Sequence, residues 1–544
     1  MRHRLLARLG ALLLLVLIAA TGLIGGSARI ASAHAALESS TPAANSVLEQ
    51  GPDSIVLDFD EAVEGDLASI QLFDGKGDPV QLGTPSPGAD TSIVVATAPA
   101  LGDGIYAVIW RVTSADGHVV DGAFSFQVGT AAVGDGKELI DLVRNGVRSA
   151  PAIRWWYGVA RFLSLAGAIG SIGGGWWLLF AGPPADERRN ARRLSRLCWL
   201  ALLLGSMFAF GLFGAEAVAG SARDVLRPSV WGDVATTQTG RMLLLRVVFA
   251  LLFGVLLLVR RQRAQGWWRA AASTTVVFTL YTFSASGHPS VQHPTALWIA
   301  IDMVHLAAIA IWIGGLLTIA VIGKLALVEP GGDRLAKRFS LVGLLAVPVV
   351  IATGVAQTLR LAGGLDDVSA TDWGRLLLTK VTVVAALLAL AGVSRWLLRH
   401  DGAASIRRTV VAEAVLGLVV VGMAAGMVAL PPVPAPAAQE FSEQLVANGL
   451  IAVVSVGPGS VGSNEVHILI TPPGGSLTPV ASATARVSLP EANIPFSPVT
   501  LVDEGPNHYS GTIVFPRSGS WTFEIIVQVT ASDSALLKTT VPIP

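Results

Sequence analysis

Residues 297–323 are Leu297-Trp-Ile-Ala-Ile-Asp-Met-Val-His-Leu-Ala-Ala-Ile-Ala-Ile-Trp-Ile-Gly-Gly-Leu-Leu-Thr-Ile-Ala-Val-Ile-Gly323, a run with one carboxylate and no lysine or arginine. About 20 consecutive apolar residues suffice for a helix to cross a bilayer. The chain of 544 residues is 52% hydrophobic and has a mean hydropathy of +0.61, more than soluble proteins normally carry. We therefore predict that this stretch spans a membrane.

Seven further apolar stretches have a similar length, which predicts an α-helical transmembrane bundle of eight helices. They cover 154–181, 197–219, 241–259, 268–286, 340–361, 375–398 and 409–430. An internal repeat lies within them, because the segment Asp233–Arg246 recurs 134 residues later as Asp367–Lys380. An even number of helices separates the copies, which favours a parallel over an inverted duplication. Two similar helix starts that arose by chance are the alternative.

The first 33 residues have the pattern of a secretory signal peptide. A basic head precedes the apolar run from Ala11 to Ala20, and Ala31-Ser32-Ala33 forms an A-x-A cleavage site. Cleavage there makes His34 the first residue, whose α-amine and imidazole together form a chelate of the kind that Cu(II) favours. The alternative is an uncleaved signal anchor.

Loop charges predict the orientation of the bundle. If the N-terminus is exported, the first, third, fifth and seventh loops are cytoplasmic, and these loops carry most of the arginine and lysine, as the positive-inside rule requires. The first of them contains Arg188, Arg189, Arg192, Arg193 and Arg196. We expect a multi-pass protein of the cytoplasmic (inner) membrane whose N- and C-terminal domains are extracytoplasmic.

Between residues 34 and 130, short alternating runs such as Ser54–Phe59 and Ile105–Trp110 predict a β-sandwich. This segment contains fourteen acidic residues against two basic ones, so it should attract cations and repel nucleic acid. Cys198 is the single cysteine, which excludes a disulfide framework and a thiolate metal cluster. A metal ion would therefore be bound by nitrogen and oxygen, or by thioether sulfur.

Asp116 and His118 are two residues apart, a spacing that places both side chains on one side of an extended segment. An ordinary exposed Asp-Gly-His turn is the alternative. Four segments together resemble the periplasmic copper-binding protein CopC. They are His34-Ala-Ala-Leu-Glu-Ser-Ser-Thr-Pro-Ala43, Leu57-Asp-Phe-Asp-Glu61, Trp110-Arg-Val-Thr-Ser-Ala-Asp-Gly-His118 and Gly122-Ala-Phe-Ser-Phe126.

The resemblance to CopC implies that His34, Asp116 and His118 are ligands of Cu(II). It also places Glu61 where some members of the family have a further carboxylate, although this residue is equally compatible with an acidic turn. No methionine occurs between residues 34 and 130. The methionine-rich Cu(I) site of one branch of the family is therefore predicted to be absent.

The apolar region resembles the CopD copper-resistance membrane family, so the whole chain resembles a CopC–CopD fusion. The resemblance rests on Phe283-Ser-Ala-Ser-Gly-His288, Asp302-Met-Val-His305, Trp312-Ile-Gly-Gly315 and Trp373-Gly-Arg375. It implies passage of copper across the inner membrane. Because charged groups at membrane depth are functional candidates, we predict a membrane-side copper path. The candidate residues of this path are His288, His293, Asp302 and His305. The alternative is that these polar side chains only form hydrogen bonds with neighbouring helices.

After a proline-rich linker at 431–440, residues 441–544 alternate in short runs that predict a second β-sandwich. The segment Gly462-Ser-Asn-Glu-Val-His-Ile468 resembles the YtkA-like domain found behind some CopD regions. His467 and His508 are interpreted as structural strand histidines, with metal binding as the alternative. The predicted organisation is thus a signal peptide at 1–33, a CopC-like domain at 34–130, a linker at 131–153, a membrane domain at 154–430 and a YtkA-like domain at 441–544.

Three functions are compatible with these residues. The first is capture of Cu(II) outside, followed by inward passage of copper through the bundle. The second is an extracytoplasmic copper buffer or a chaperone for a cuproenzyme, with the bundle as an anchor. The third is a copper monooxygenase, but Asp116 would crowd the open position that such an enzyme needs, so we predict no enzyme. The expected partners are the copper ion, the lipid bilayer and a cuproenzyme or copper chaperone, and not nucleic acid.

The chelate at the N-terminus depends on where the signal peptide is cut. We expect Edman sequencing of the purified mature protein to begin at His34, because Ala31-Ser32-Ala33 directly precedes it. A mature chain that begins at any other residue would lack the amine ligand beside this imidazole.

Overall fold

The computed structural model describes residues 35–543, apart from a set of short segments. The segments left out are 36, 45, 130–135, 145–150, 181–186, 259–265, 323–331, 362–367, 369–370, 429, 431–440, 448, 458, 460–461, 472–479, 493 and 531–532. The chain divides into two compact units. The helical unit comprises Thr113–Val119 and Ser149–Val433, and the β unit comprises Ala35–Val112, Val120–Arg148 and Pro434–Pro544. The predicted signal peptide, His34 and the proline-rich linker lie outside the described residues.

The N-terminal part of the β unit is built from two sheets around one core. Its strands are β1 (Leu37–Thr41), β2 (Val47–Leu48), β3 (Ser54–Phe59), β4 (Ser69–Phe73), β5 (Pro79–Val80), β6 (Ser86–Pro87), β7 (Ile93–Thr97), β8 (Gly104–Thr113) and β9 (Val119–Val128). The sheet orders are β1-β3-β7-β6 and β2-β9-β8-β4-β5. Alternate residues of β3 are buried, and Phe59 meets the ring of Trp110 edge-on at 5.2 Å. The predicted N-terminal β-sandwich is confirmed.

Helices occupy all eight of the predicted apolar stretches. The part of the chain that the structure describes has the α-helices α1 (Gly136–Arg144), α2 (Pro151–Phe180), α3 (Glu187–Ala217), α4 (Pro228–Thr236), α5 (Gln238–Leu258), α6 (Gly266–Ser284), α7 (Thr295–Ile322), α8 (Gly332–Leu361), α9 (Asp372–His400) and α10 (Arg407–Met427). Within the described residues, seven of them are long and apolar enough to cross a membrane. The eighth predicted span is α6, a helix of 19 residues that carries Arg269 and several threonines and is not among the seven.

Helix α7 packs against α2, α8 and α10 and carries the centre of the bundle core. It crosses α2 at two glycines. A Cβ added to Gly173 would lie 1.9 Å from the carbonyl oxygen of Ala310, and one added to Gly314 would lie 2.4 Å from that of Ile169. The two backbones can approach this closely only because both positions lack a side chain.

The predicted internal repeat reappears as two identical helix starts. Thr237 Oγ1 accepts a hydrogen bond from Gly240 N at 2.9 Å before α5, and Thr371 Oγ1 accepts one from Gly374 N at 2.9 Å at the start of α9. A Cβ on Gly240 would lie 1.8 Å from the Val234 carbonyl oxygen. On Gly374 it would lie 1.7 Å from the equivalent oxygen of Val368. The same cap and the same steric constraint therefore occur in both copies.

The C-terminal part of the β unit is a second pair of sheets with its own core. Its strands are β10 (Phe441–Ala447), β11 (Leu450–Gly457), β12 (Gly462–Thr471), β13 (Ser482–Leu489), β14 (Ile494–Val499), β15 (Leu501–Gly505), β16 (His508–Phe515), β17 (Gly519–Thr530) and β18 (Asp533–Ile543). The sheet orders are β10-β11-β12-β16-β15 and β14-β13-β17-β18. Inward residues such as Ile468, Phe515 and Phe523 are fully buried. This agrees with the predicted β-rich C-terminal region, and the resemblance to a YtkA-like domain stays a prediction.

The cap at the start of α9 leads to a test of the repeat. Replacing Gly374 by alanine should destabilise the protein by about 1–3 kcal/mol, because the new methyl group overlaps the Val368 carbonyl oxygen. We expect a fall of several degrees in the apparent Tm of the detergent-solubilised protein. The control is Gly392→Ala in the same helix, where a Cβ has no atom within 4 Å and the substitution favours the helix. Equal melting temperatures for the two variants would contradict the steric account.

Candidate metal centre

The loop between β8 and β9 is a tight turn that belongs to the helical unit. Ser114 N donates to His118 O at 2.8 Å, and Gly117 N donates to Ser114 O at 2.9 Å. Gly117 has a φ of +87°, in the region that favours glycine, so the Asp-Gly pair suits this turn. The side chains of Asp116 and His118 are thereby directed to one place, although the segment is a turn and not the extended strand that the spacing predicted.

The carboxylate of Asp116 bridges the Nδ1 edges of two imidazole rings. Its Oδ1 is 2.8 Å from Nδ1 of His118, and its Oδ2 is 3.0 Å from Nδ1 of His288. The two rings stack with centroids 4.8 Å apart and planes 7° from parallel. One potential ligand atom from each of the three residues lies within 4.8 Å of the others, and in the described part of the chain this is the one such group of three.

Hydrogen bonds fix the orientation of the carboxylate and of the His118 ring. Ser114 Oγ and the backbone N–H of His118 both donate to Asp116 Oδ1. On the far side of the His118 ring, Nε2 is bonded to the carbonyl oxygen of Val428, just after α10. Preorganised ligands of this kind lose little conformational entropy when they bind a metal ion.

The electrostatics of the turn favour the ionised carboxylate. Burial alone would raise the pKa of Asp116, but the charge and hydrogen bond of His118, together with His288, hold that pKa well below its usual range. Burial alone would lower the pKa of His118, but Asp116 raises it. Asp116 is 2% exposed and His118 is 8% exposed, so the exposed Asp-Gly-His turn considered as an alternative does not occur.

The three residues offer imidazole nitrogen and carboxylate oxygen, a set that suits Cu(II) and Zn(II). The Nδ1 atoms of both rings face Asp116. A metal ion bound there would take the place of the protons between these groups, so binding should release protons and become weaker at low pH.

The other predicted site residues are placed as follows. His34 lies outside the described residues. Glu61 is half-buried after β3 in the β unit, and His293 is exposed at the loop before α7. Neither belongs to the group of three ligand atoms. The structure therefore brings together Asp116, His118 and His288 from the predicted set.

Asp302 and His305 lie one turn apart on α7, as predicted, but they contact different partners. Asp302 accepts hydrogen bonds from Ser284 Oγ at 2.6 Å and from Gln357 Nε2 at 3.1 Å. Nδ1 of His305 is 2.8 Å from Thr353 Oγ1. Sequence reasoning missed Thr353 and Gln357 of α8, although their spacing of four residues places them on one helix face.

Arg246 of α5 holds the end of α6, four residues before His288. Its guanidinium donates to Thr282 Oγ1 at 3.1 Å, to Thr282 O at 2.8 Å and to Ser286 Oγ at 3.0 Å. It also lies 3.6 Å from the centroid of the Phe283 ring. These contacts make Arg246 a positioning residue for the segment that carries His288.

Three family models match this chain. The CopC domain matches residues 37–129. The N-terminal domain of copper resistance protein D-like proteins matches 152–293, and copper resistance protein D itself matches 333–427. The chain belongs to the CopC–CopD family of copper resistance proteins. The predicted CopC–CopD fusion is confirmed, and the CopC domain supplies Asp116 and His118 while the CopD domain supplies His288.

Some relatives match most of this chain and others match only one region of it, and both kinds agree with this assignment. The copper transport protein CutJ of Bacillus subtilis is 25% identical over 466 residues, which are 81% of this chain and 82% of CutJ. The inner membrane protein YebZ of Escherichia coli K12 is 31% identical over 250 residues, 44% of this chain and 81% of YebZ. Copper resistance protein C of Escherichia coli is 36% identical over 115 residues, 20% of this chain and 90% of that protein. This protein is therefore a multi-pass membrane protein that handles copper.

The contacts of Arg246 predict how the His288 segment is held. In an Arg246→Lys variant the Nε–H that donates to Thr282 Oγ1 has no counterpart, so one of the three hydrogen bonds is lost. One hydrogen bond contributes about 0.5–1.5 kcal/mol, so amide hydrogen exchange in residues 283–290 should become about 2- to 12-fold faster. Arg269→Lys, at the exposed opposite end of α6, is the matched control and should leave that exchange unchanged. Unchanged exchange in the Arg246 variant would refute the positioning role.

Proposed function

We propose that this protein captures Cu(II) outside the cytoplasmic membrane and passes copper inward through the CopD domain. The observation that carries the proposal is the position of Asp116, whose two carboxylate oxygens face His118 of the CopC domain and His288 of the CopD domain. A ligand shared between a capture site and a membrane domain allows a metal ion to move between them without being released to water. The direction of movement and the extracytoplasmic position of both β domains are part of the proposal.

The capture site would consist of His34, Asp116 and His118. Signal-peptide cleavage gives His34 a free α-amine next to its imidazole, and the turn supplies one further imidazole and a carboxylate. Amine, imidazole and carboxylate ligands favour Cu(II) over Cu(I), and the CopC domain has no methionine to alter that preference. Glu61 is proposed as an additional carboxylate near this site.

Beyond His288, the proposed path continues along α6 and α7. Ser284 lies one turn before His288, and its hydroxyl donates to Asp302 Oδ2 at 2.6 Å. His305 follows one turn further along α7, and exposed His293 lies at the entrance loop of the same helix. Polar groups at this depth in a membrane helix are costly, so the presence of Ser284, Asp302 and His305 there supports a route for a cation.

A second function is favoured by one observation. Within the described residues, no group of three potential ligands other than Asp116, His118 and His288 occurs, so Asp302 and His305 do not form a second one. The CopD domain would then anchor a buffer that gives copper to a cuproenzyme or a copper chaperone outside the membrane.

Copper flux into vesicles separates the two functions. We expect purified protein in liposomes to carry copper inward, and His288→Ala to reduce the initial rate at least tenfold while tight Cu(II) binding remains. His118→Ala should remove one equivalent of tightly bound Cu(II), because it removes one capture ligand. His400→Ala, an exposed histidine at the end of α9, is the control for both measurements. Wild-type protein that binds Cu(II) without any flux would establish the anchored buffer instead.

A further inference from the structure

Two histidines of the C-terminal sandwich face each other on neighbouring strands. In the register of β12 and β16, His467 pairs with Ser510 and Leu469 pairs with His508, so the two histidines are diagonal neighbours on the outer face of the sheet. Nδ1 of His467 lies 3.2 Å from Nε2 of His508. The ring centroids are 5.4 Å apart, and the planes are inclined by 23°.

Two ring nitrogens at this distance share either a proton or a metal ion. A metal ion bonded to two imidazole nitrogens at about 2.0 Å each holds these nitrogens about 3 Å apart when the bonds are near a right angle or a tetrahedral angle. The nitrogen atoms of His467 and His508 already have that separation. A metal ion can therefore enter between them with little movement of either strand.

A carboxylate lies on the opposite side of the His467 ring. Glu465 Oε1 is 3.5 Å from Nε2 of His467, while Nδ1 faces His508. Metal-binding histidines commonly have a carboxylate at the ring nitrogen that does not bind the metal, because this partner fixes the tautomer and orients the ring. Glu465 and His467 are two residues apart on one strand, so they project from the same face.

Burial makes the arrangement of these side chains specific. The side chain of His467 is 12% exposed and His508 is 9% exposed, whereas Glu465 is 44% exposed. A partly buried pair of imidazoles is held in one geometry by the two strands, and the open side near Glu465 gives an ion access from solvent. The strands thus fix the two rings before a metal arrives.

We propose that His467 and His508 bind Cu(II), with Glu465 as the positioning residue for His467. Among divalent first-row metal ions, Cu(II) binds a nitrogen site most strongly, and water can complete its coordination. This site uses none of the residues of the proposed capture site. It would give the protein a second place to hold copper, and it assigns a role to the C-terminal β domain.

The test uses the full chain purified in detergent. His34→Gln combined with His118→Ala gives a capture-site variant, which removes both imidazole ligands of the other proposed site. Copper is counted by atomic spectroscopy after dialysis against buffered Cu(II), and bound imidazole is detected by pulsed electron paramagnetic resonance. We expect the capture-site variant to retain one equivalent of Cu(II) with an imidazole signal, and wild-type protein to bind at least one equivalent more.

Substitutions in the pair decide the proposal. His467→Asn and His508→Gln, added to the capture-site variant, keep a hydrogen-bonding amide at each ring nitrogen and should eliminate the remaining copper. His400→Asn is the matched control and should change nothing. Glu465→Gln should weaken Cu(II) binding about 10- to 100-fold with the fold intact, because it removes the orienting charge from an exposed position.

The two proposals fail in different ways. Copper binding that persists after both histidines are replaced, or a capture-site variant that binds no copper, would overturn the His467–His508 site and leave the capture site intact. Wild-type affinity in the Glu465→Gln variant would overturn the positioning role. Conversely, two results together would overturn the capture site alone. The His118→Ala variant would keep the full copper content of the wild type, and it would lose one equivalent when His467 and His508 are also replaced.

Discussion

The ionised carboxylate of Asp116 is the group on which the arrangement of the metal centre depends. A buried charge without partners costs several kcal/mol, and here that cost is offset by two imidazoles, a hydroxyl and a backbone N–H. The turn that presents the carboxylate and the loop that presents His288 must therefore adopt their positions together. Removal of any one partner would leave the others in an unfavourable environment.

Much of this organisation could be predicted from the sequence. The eight apolar stretches locate the helices because membrane-spanning helices satisfy their backbone polar groups internally and need a minimum length. The alternation in β3 locates a strand with one buried face. The spacing of Asp116 and His118 indicated that the two side chains act together. This could be predicted because the two residues are close in the sequence.

The parts that could not be predicted involve residues far apart in the chain. The contact between Asp116 and His288 joins residues separated by 172 positions, and no local pattern encodes it. Asp302 and His305 share a helix face, yet one contacts Ser284 and Gln357 and the other contacts Thr353. Likewise, His467 and His508 looked like isolated strand histidines, because the register of β12 and β16 is set by the turns and the core rather than by either residue.

The crossing of α2 and α7 at Gly173 and Gly314 also fixes where two charged side chains lie. Twelve residues before each glycine, α2 carries Arg161 and α7 carries Asp302. At 1.5 Å per residue, each of these charges lies about 18 Å from the crossing along its own helix. The glycine contact that lets the two backbones approach therefore also sets the depth at which the bundle carries one cationic and one anionic side chain. A shift of register between α2 and α7 would displace the two charges relative to each other.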